Sequence, residues 1–273
     1  MNKNSRVKAV ISLDAVEQNF REMRKNIAED TKMIAVVKAD AYGHGAVPIA
    51  HLIEKYDYIW GFAAATAEEA VHLRQNGVTK PILILGIVFE EYYPELVRDD
   101  IRLAVCEYEE AEKLSREAVL QNKTVHIHIA LDTGMTRIGY ADIPESVNEI
   151  KKISKLPNLE IEGMFTHFSR ADEYDRSPAM VQLERYQRFS ELVEKAGVKI
   201  PLHHCSNSAG IIRVPEANLS IVRAGITIYG IYPSCEVERD IVKLTPVMEL
   251  KSHVTYVKDV PEGAAISYGG TYV

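Results

Sequence analysis

The chain has 273 residues, 47% of them hydrophobic and 26% charged, with a formal net charge of −7. That length and apolar content suffice for one large core, alone or with a small appendage, while the acidic balance and the lack of interleaved aromatic and basic residues argue against a nucleic-acid surface. No apolar stretch reaches bilayer length, MNKNSRVK has no secretory core, and Cys106, Cys205 and Cys235 lack disulfide or zinc spacing, so a cytoplasmic protein with reduced thiols is expected.

Residues 7–13, VKAVISL, read as a strand ahead of the first helix. Next, AVVKADAYGHG over 35–45 sets Lys38 directly after a β-branched run. An ammonium leaving a buried strand end is desolvated, which favours the neutral amine, so Lys38 is a candidate nucleophile able to form a Schiff base. Judged by residue type alone, a lysine there is more often a solvated charge. Gly43 and Gly45 shift that balance by permitting a tight turn and close ligand approach, ahead of a helix over 46–57 whose first turn suits an anion.

Short apolar runs recur at 33–38, 59–65, 81–88, 101–106, 124–131, 160–168, 201–206 and 219–223. Helical patterns at 67–76, 107–120, 145–156 and 178–196 fall between them, some closed by a glycine such as Gly77 or Gly197. Runs of this kind are buried on both faces, as in parallel sheets, and eight strand–helix repeats close a barrel. A (β/α)8, TIM-like barrel is therefore expected over 14–232. A doubly wound open sheet is the alternative, but no GxGxxG follows the first strand. The segment 246–258 alternates apolar and polar residues, and the chain ends on SYGGTYV, so 1–13 and 233–273 are expected to be strands of a second, incomplete β domain.

Active sites of such barrels lie at the carboxyl ends of the strands. Lys38 and Tyr42 follow the first strand, Arg137 the fifth, His167 the sixth, Asn207 and Ser208 the seventh, and Arg223, Gly225 and Ile226 the eighth. All are expected at one mouth.

At these strand ends and near the C-terminus, VVKADAYGHG, LDTGMTRIG, HCSNSAG, VRAGITIYG and SYGGTY, in this order, resemble the bacterial alanine racemases, over nearly the whole chain. The resemblance implies a homodimeric isomerase that interconverts L- and D-alanine with pyridoxal 5′-phosphate, supplying D-alanine for peptidoglycan. It implies that Lys38 holds the cofactor and is one of two bases, the second being Tyr268 from the partner subunit. Tyr42, Ser208, Gly225 and Ile226 match the family's phosphate contacts, with Asn207 supporting the cup. Arg223 matches the partner of the pyridine nitrogen, and His167 the histidine that orients it. Arg137 would meet the cofactor phenolate or the substrate carboxylate; a surface ion pair is its bland alternative.

Two departures stand out. Many family members carry a carbamylated lysine where this chain has Ala130, so a chloride ion or another side chain is expected to oppose Arg137 instead. The family also continues into a β domain holding another phosphate-binding tyrosine and the substrate gate, so weak or no racemisation is expected of this polypeptide alone. Other readings are a serine racemase, a noncatalytic pyridoxal phosphate-binding protein, and a metal-dependent barrel hydrolase built on His126, His128, His203, His204 and Cys205. Against the last, the strand-five histidines are expected below the mouth, and adjacent His203 and His204 on opposite faces of a strand, so no metal is expected.

Overall fold

Strand β1, Val7–Ile11, opens the part of the chain described by the computed structural model, residues 6–273. The start of MNKNSRVK, and with it residues 1–5 of the expected 1–13 segment, lies outside the described residues. The barrel strands are β2, Lys32–Val36, β3, Ile59–Ala64, β4, Ile82–Ile84, β5, Arg102–Val105, and β6, Val125–Asp132. After the two-residue β7, Tyr140–Ala141, come β8, Leu159–Phe165, β9, Leu202–His204, and β10, Ile221–Ala224. They pair in parallel in the order β10, β2, β3, β4, β5, β6, β8, β9, with β7 joined to β6.

Each of the eight apolar runs overlaps one of these strands, because residues such as Ile34, Phe62, Leu83 and Ile129 are completely buried. Burying one such side chain is worth roughly 1.5–3 kcal/mol. Between β9 and β10 the ring is nearly closed: Arg223 N–H donates to Ser206 O at 3.0 Å and His203 N–H to Ser220 Oγ at 2.6 Å. Helices cover the outside, and their starts follow from local chemistry. Ser12, Thr66 and Asn207 each cap a helix, accepting from Ala15 N–H, Glu69 N–H and Gly210 N–H.

The described residues divide into two units, 12–247 and the pair of segments 6–11 and 248–273. Residues 233–247 therefore group with the barrel and not, as expected, with the second module. Asn19 explains this: its wholly buried amide accepts from Thr245 N–H at 2.8 Å and donates to Thr245 O at 2.9 Å. Ser12 N–H also donates to Val247 O at 2.9 Å. In the other unit, β1 pairs antiparallel with β11, Met248–Ser252, in the register Val7 to Ser252 and Ile11 to Met248. The strand expected over 246–258 is confined to those five residues.

Candidate active site

Directly after β2 the backbone does something no sequence pattern announced: Ala39, Asp40, Ala41 and Tyr42 form a left-handed helical turn, with φ between 50° and 56°. Each non-glycine residue in that region costs about 1–2 kcal/mol. Local bonds hold it there. Glu69 accepts from Ala39 N–H at 2.7 Å and from Ala65 N–H at 2.8 Å, tying the first strand-end loop to the second. Asp40 accepts from Ala46 N–H at 2.7 Å. The turn leaves Lys38 half-buried, its Nζ 5.8 Å from the centre of the Tyr42 ring.

Tyr42 and Ser208 flank Gly225. A Cβ on Gly225 would lie 3.4 Å from the Tyr42 hydroxyl and 3.6 Å from Ser208 Oγ, so the glycine leaves open a small space between two hydroxyls. Gly225 N–H and Thr227 Oγ1 donate to Ser208 Oγ at 2.9 and 3.0 Å, which turns the serine proton outward. Asn207 is occupied in capping, accepting from Gly210 N–H and donating to Phe168 O at 3.2 Å. Beneath the space, Tyr229 donates to Val36 O at 2.8 Å and packs against Tyr42 and His44.

Arg223, on β10, is buried to 2% exposure, and burial pushes its guanidinium down to about 10. Its Nη1 donates to His204 O at 2.7 Å and to His204 Nδ1 at 2.8 Å, and its Nη2 to Thr166 O at 2.6 Å and Cys205 O at 2.9 Å. Four of the five guanidinium protons are thus engaged, and among the described residues only Nε–H has no acceptor. His167 Nδ1 lies 3.4 Å from Nη2. Burial first, then the charges of Arg223, Arg137 and Lys38, push the His167 imidazole down to about 3.

Arg137 sits on the loop after β6, which Asp132 shapes by accepting from Gly134 N–H at 2.9 Å and Thr136 N–H at 3.0 Å. Among the described residues no carboxylate lies within ion-pair distance of Arg137, so the expected replacement side chain is not there. At Ala130 the surroundings are apolar: Ala104, Phe165, Leu85 and Cys106 pack together with it.

Lys38, Tyr42, Arg137, His167, Asn207, Ser208, Arg223, Gly225 and Ile226 line a single cavity of about 520 Å³ at the carboxyl ends of the strands. Tyr268 belongs to the other unit, where it begins a 3-10 turn, Tyr268–Gly270, with its side chain fully exposed. Three of the histidines weighed as metal ligands have side-chain partners. His128 and His204 are buried and joined to each other, whereas His203 faces Tyr186 on the outer helix Ser177–Lys195. Sequence reasoning missed Glu69 and Tyr229; their acceptor and donor roles depend on which segments the barrel brings together.

Residues 11–233 match the family model described as alanine racemase, N-terminal domain. The chain belongs to the alanine racemase family. It is 43% identical to the alanine racemase of Clostridium kluyveri over 259 residues, covering 95% of this chain and 66% of that protein. The alanine racemase of Methanococcus maripaludis is 42% identical, with 97% of this chain and 70% of that protein covered. The solved alanine racemase of Clostridium difficile 630 superposes with a TM-score of 0.95 at 41% identity, covering 99% of this chain and 71% of that one. The chain spans about two thirds of the length of these curated relatives.

Alanine racemases use pyridoxal 5′-phosphate, an anionic aldehyde with a pyridine ring. The cavity fits it on three counts: an amine at Lys38, a glycine-lined space between two hydroxyls, and the guanidiniums of Arg137 and Arg223 around a neutral imidazole.

Proposed function

We propose that this chain forms the cofactor-binding part of a pyridoxal 5′-phosphate-dependent racemase that interconverts L- and D-alanine. The observation that carries the reading is the meeting of Lys38, the Gly225 space and the buried guanidinium of Arg223 in one cavity. The cofactor supplies an electron sink that renders the substrate Cα proton labile.

The chain's own residues then have distinct tasks. Lys38 anchors the cofactor and exchanges a proton on one face of Cα. Tyr268 of the partner subunit, in a homodimer, serves the opposite face, since inversion requires proton transfer on both. The Tyr42 and Ser208 hydroxyls and the Ile226 N–H would hold the phosphate with donors that add no full charge, Gly225, whose own N–H is bonded to Ser208 Oγ, would leave room for it, and Asn207 fixes the turn carrying Ser208. Arg223 would offer its Nε–H to the pyridine nitrogen; because guanidinium keeps its proton, it would discourage protonation of that nitrogen and limit the side reaction of transamination. His167 abuts Arg223 as a neutral group, and Arg137, with no carboxylate partner among the described residues, would receive the substrate carboxylate or the cofactor phenolate.

Serine is the nearest alternative substrate. No helix among the described residues is long and apolar enough to cross a membrane, and a cytoplasmic site of action, with D-alanine going to peptidoglycan, accords with the reading. The test is exchange of the alanine α-proton in deuterium oxide by cofactor-saturated protein. Exchange is expected, with inversion weak at most for this polypeptide alone, and Tyr268→Phe should retain the cofactor while losing the inversion that remains. Inversion by Tyr268→Phe at the unaltered rate would refute the assignment.

A further inference from the structure

We propose that Glu162, which lies outside the cavity, sets the hydrogen-bonding direction of Arg223 through His128 and His204 and is therefore a positioning residue for the cofactor's ring nitrogen. The last step rests on the role assigned above to Arg223.

A continuous chain of polar atoms crosses the barrel interior. Glu162, on β8, accepts at Oε2 from Arg102 Nε at 3.3 Å and stands 3.2 Å from His128 Nε2. His128 Nδ1 is 2.8 Å from His204 Nε2, and His204 Nδ1 is 2.8 Å from Arg223 Nη1. Both imidazoles are completely buried, so no water competes for these atoms.

The two ends of this chain have opposite and invariable characters. A guanidinium can only donate and a carboxylate can only accept. With both ends fixed, one proton arrangement gives every link one donor and one acceptor. His204 accepts at Nδ1 and donates from Nε2, and His128 does the same. Both rings are then neutral, in agreement with burial, which pushes both imidazoles below their ordinary range. Burial also pushes the Glu162 carboxyl up, but the bond from His128 and the charge of Arg102 outweigh it and leave it below the usual value.

The other tautomer of His204 would set its Nδ1–H against an Nη1–H of Arg223. That repulsion would rotate the guanidinium plane and move the one N–H left free for a ligand. The fold gives the rings little room to respond. A Cβ on Gly163 would lie 2.4 Å from His128 Nδ1, so the ring packs directly on backbone, and Phe165 stacks on His204 with centroids 5.0 Å apart. The remaining charged or titratable neighbours are Arg102 and His126, beside Glu162, and His203, next in the chain to His204.

The test is nitrogen-15 spectroscopy of both histidines in cofactor-free protein between pH 6 and 9, with cofactor titrations alongside. Wild-type protein is expected to show a protonated Nε2 and a bare Nδ1 on both rings. Glu162→Gln retains an accepting oxygen and is expected to keep these tautomers and the cofactor affinity. Glu162→Leu removes the acceptor and is expected to populate the second tautomer of His204 and weaken pyridoxal 5′-phosphate at least fivefold, while borohydride still traps it on Lys38. A protonated Nδ1 on either wild-type ring overturns the proposal, as does a Glu162→Leu protein with wild-type tautomers and affinity. Should Glu162→Leu not fold, the wild-type tautomers decide alone. Failure of the racemase reading would appear separately, as wild-type protein that does not bind the cofactor.

Discussion

Substituting Gly225 by alanine separates a binding space from a structural one. The added methyl would meet the Tyr42 hydroxyl at 3.4 Å and Ser208 Oγ at 3.6 Å, ordinary contact distances, so nothing in the protein needs to move. The fold should lose no more than about 1 kcal/mol, the common cost of a single substitution. The methyl, however, fills the gap in which the two hydroxyls would meet a phosphate. Hydrogen bonds to a charged group are worth roughly 1.5–3 kcal/mol each, and displacing the anion from one or two of them removes about 2–4 kcal/mol of binding. That is a loss of roughly 30- to 1,000-fold in affinity. Absorbance titration with pyridoxal 5′-phosphate measures the affinity, and urea unfolding of cofactor-free protein measures the stability. A Gly225→Ala protein binding within threefold of wild type would show that the phosphate does not sit between Tyr42 and Ser208.

Arg223→Lys keeps the charge but offers three donors where the guanidinium uses four on His204, Thr166 and Cys205, leaving buried acceptors unmet; a loss of about 2–4 kcal/mol in urea unfolding is expected, and an unchanged midpoint would contradict it. Glu69→Ala strips the partner from Ala39 N–H and Ala65 N–H, so the left-handed turn should loosen and borohydride trapping at Lys38 should slow, whereas wild-type trapping kinetics would show that the turn holds itself. Folding holds His167 neutral, with its pKa lowered from 6.5 to about 3, while the unfolded chain takes up the proton. Its contribution is therefore complete above about pH 6.5 and is lost as pH falls toward 3, at up to about 1.4 kcal/mol per pH unit. His167→Asn should flatten the decline in urea midpoint between pH 6.5 and 5, and an identical slope would refute the assignment.

The barrel was legible because each strand is an apolar run bounded by polar segments, a pattern that burial on both faces imposes. The strand-end residues were legible for the same reason: once the runs are placed, Lys38, Arg137, His167 and Arg223 fall at one end. The turn at 39–42 was not. Its residues, Ala-Asp-Ala-Tyr, have no intrinsic preference for positive φ, and the acceptors that hold it come from Glu69 and from the Asp40 side chain. Nor could the sequence pair His128 with His204, since they stand 76 positions apart and meet only through the register of β6, β8 and β9. Asn19 likewise draws in the segment at Thr245 across 226 positions, which is why the barrel unit extends to 247.

The central claim is that Lys38 is the residue joined to the cofactor. Protein saturated with pyridoxal 5′-phosphate, reduced with borohydride and mapped by peptide mass spectrometry, should carry one phosphopyridoxyl group, on Lys38. A folded, saturated protein with no adduct at that position, or with the adduct on another lysine, would contradict the account.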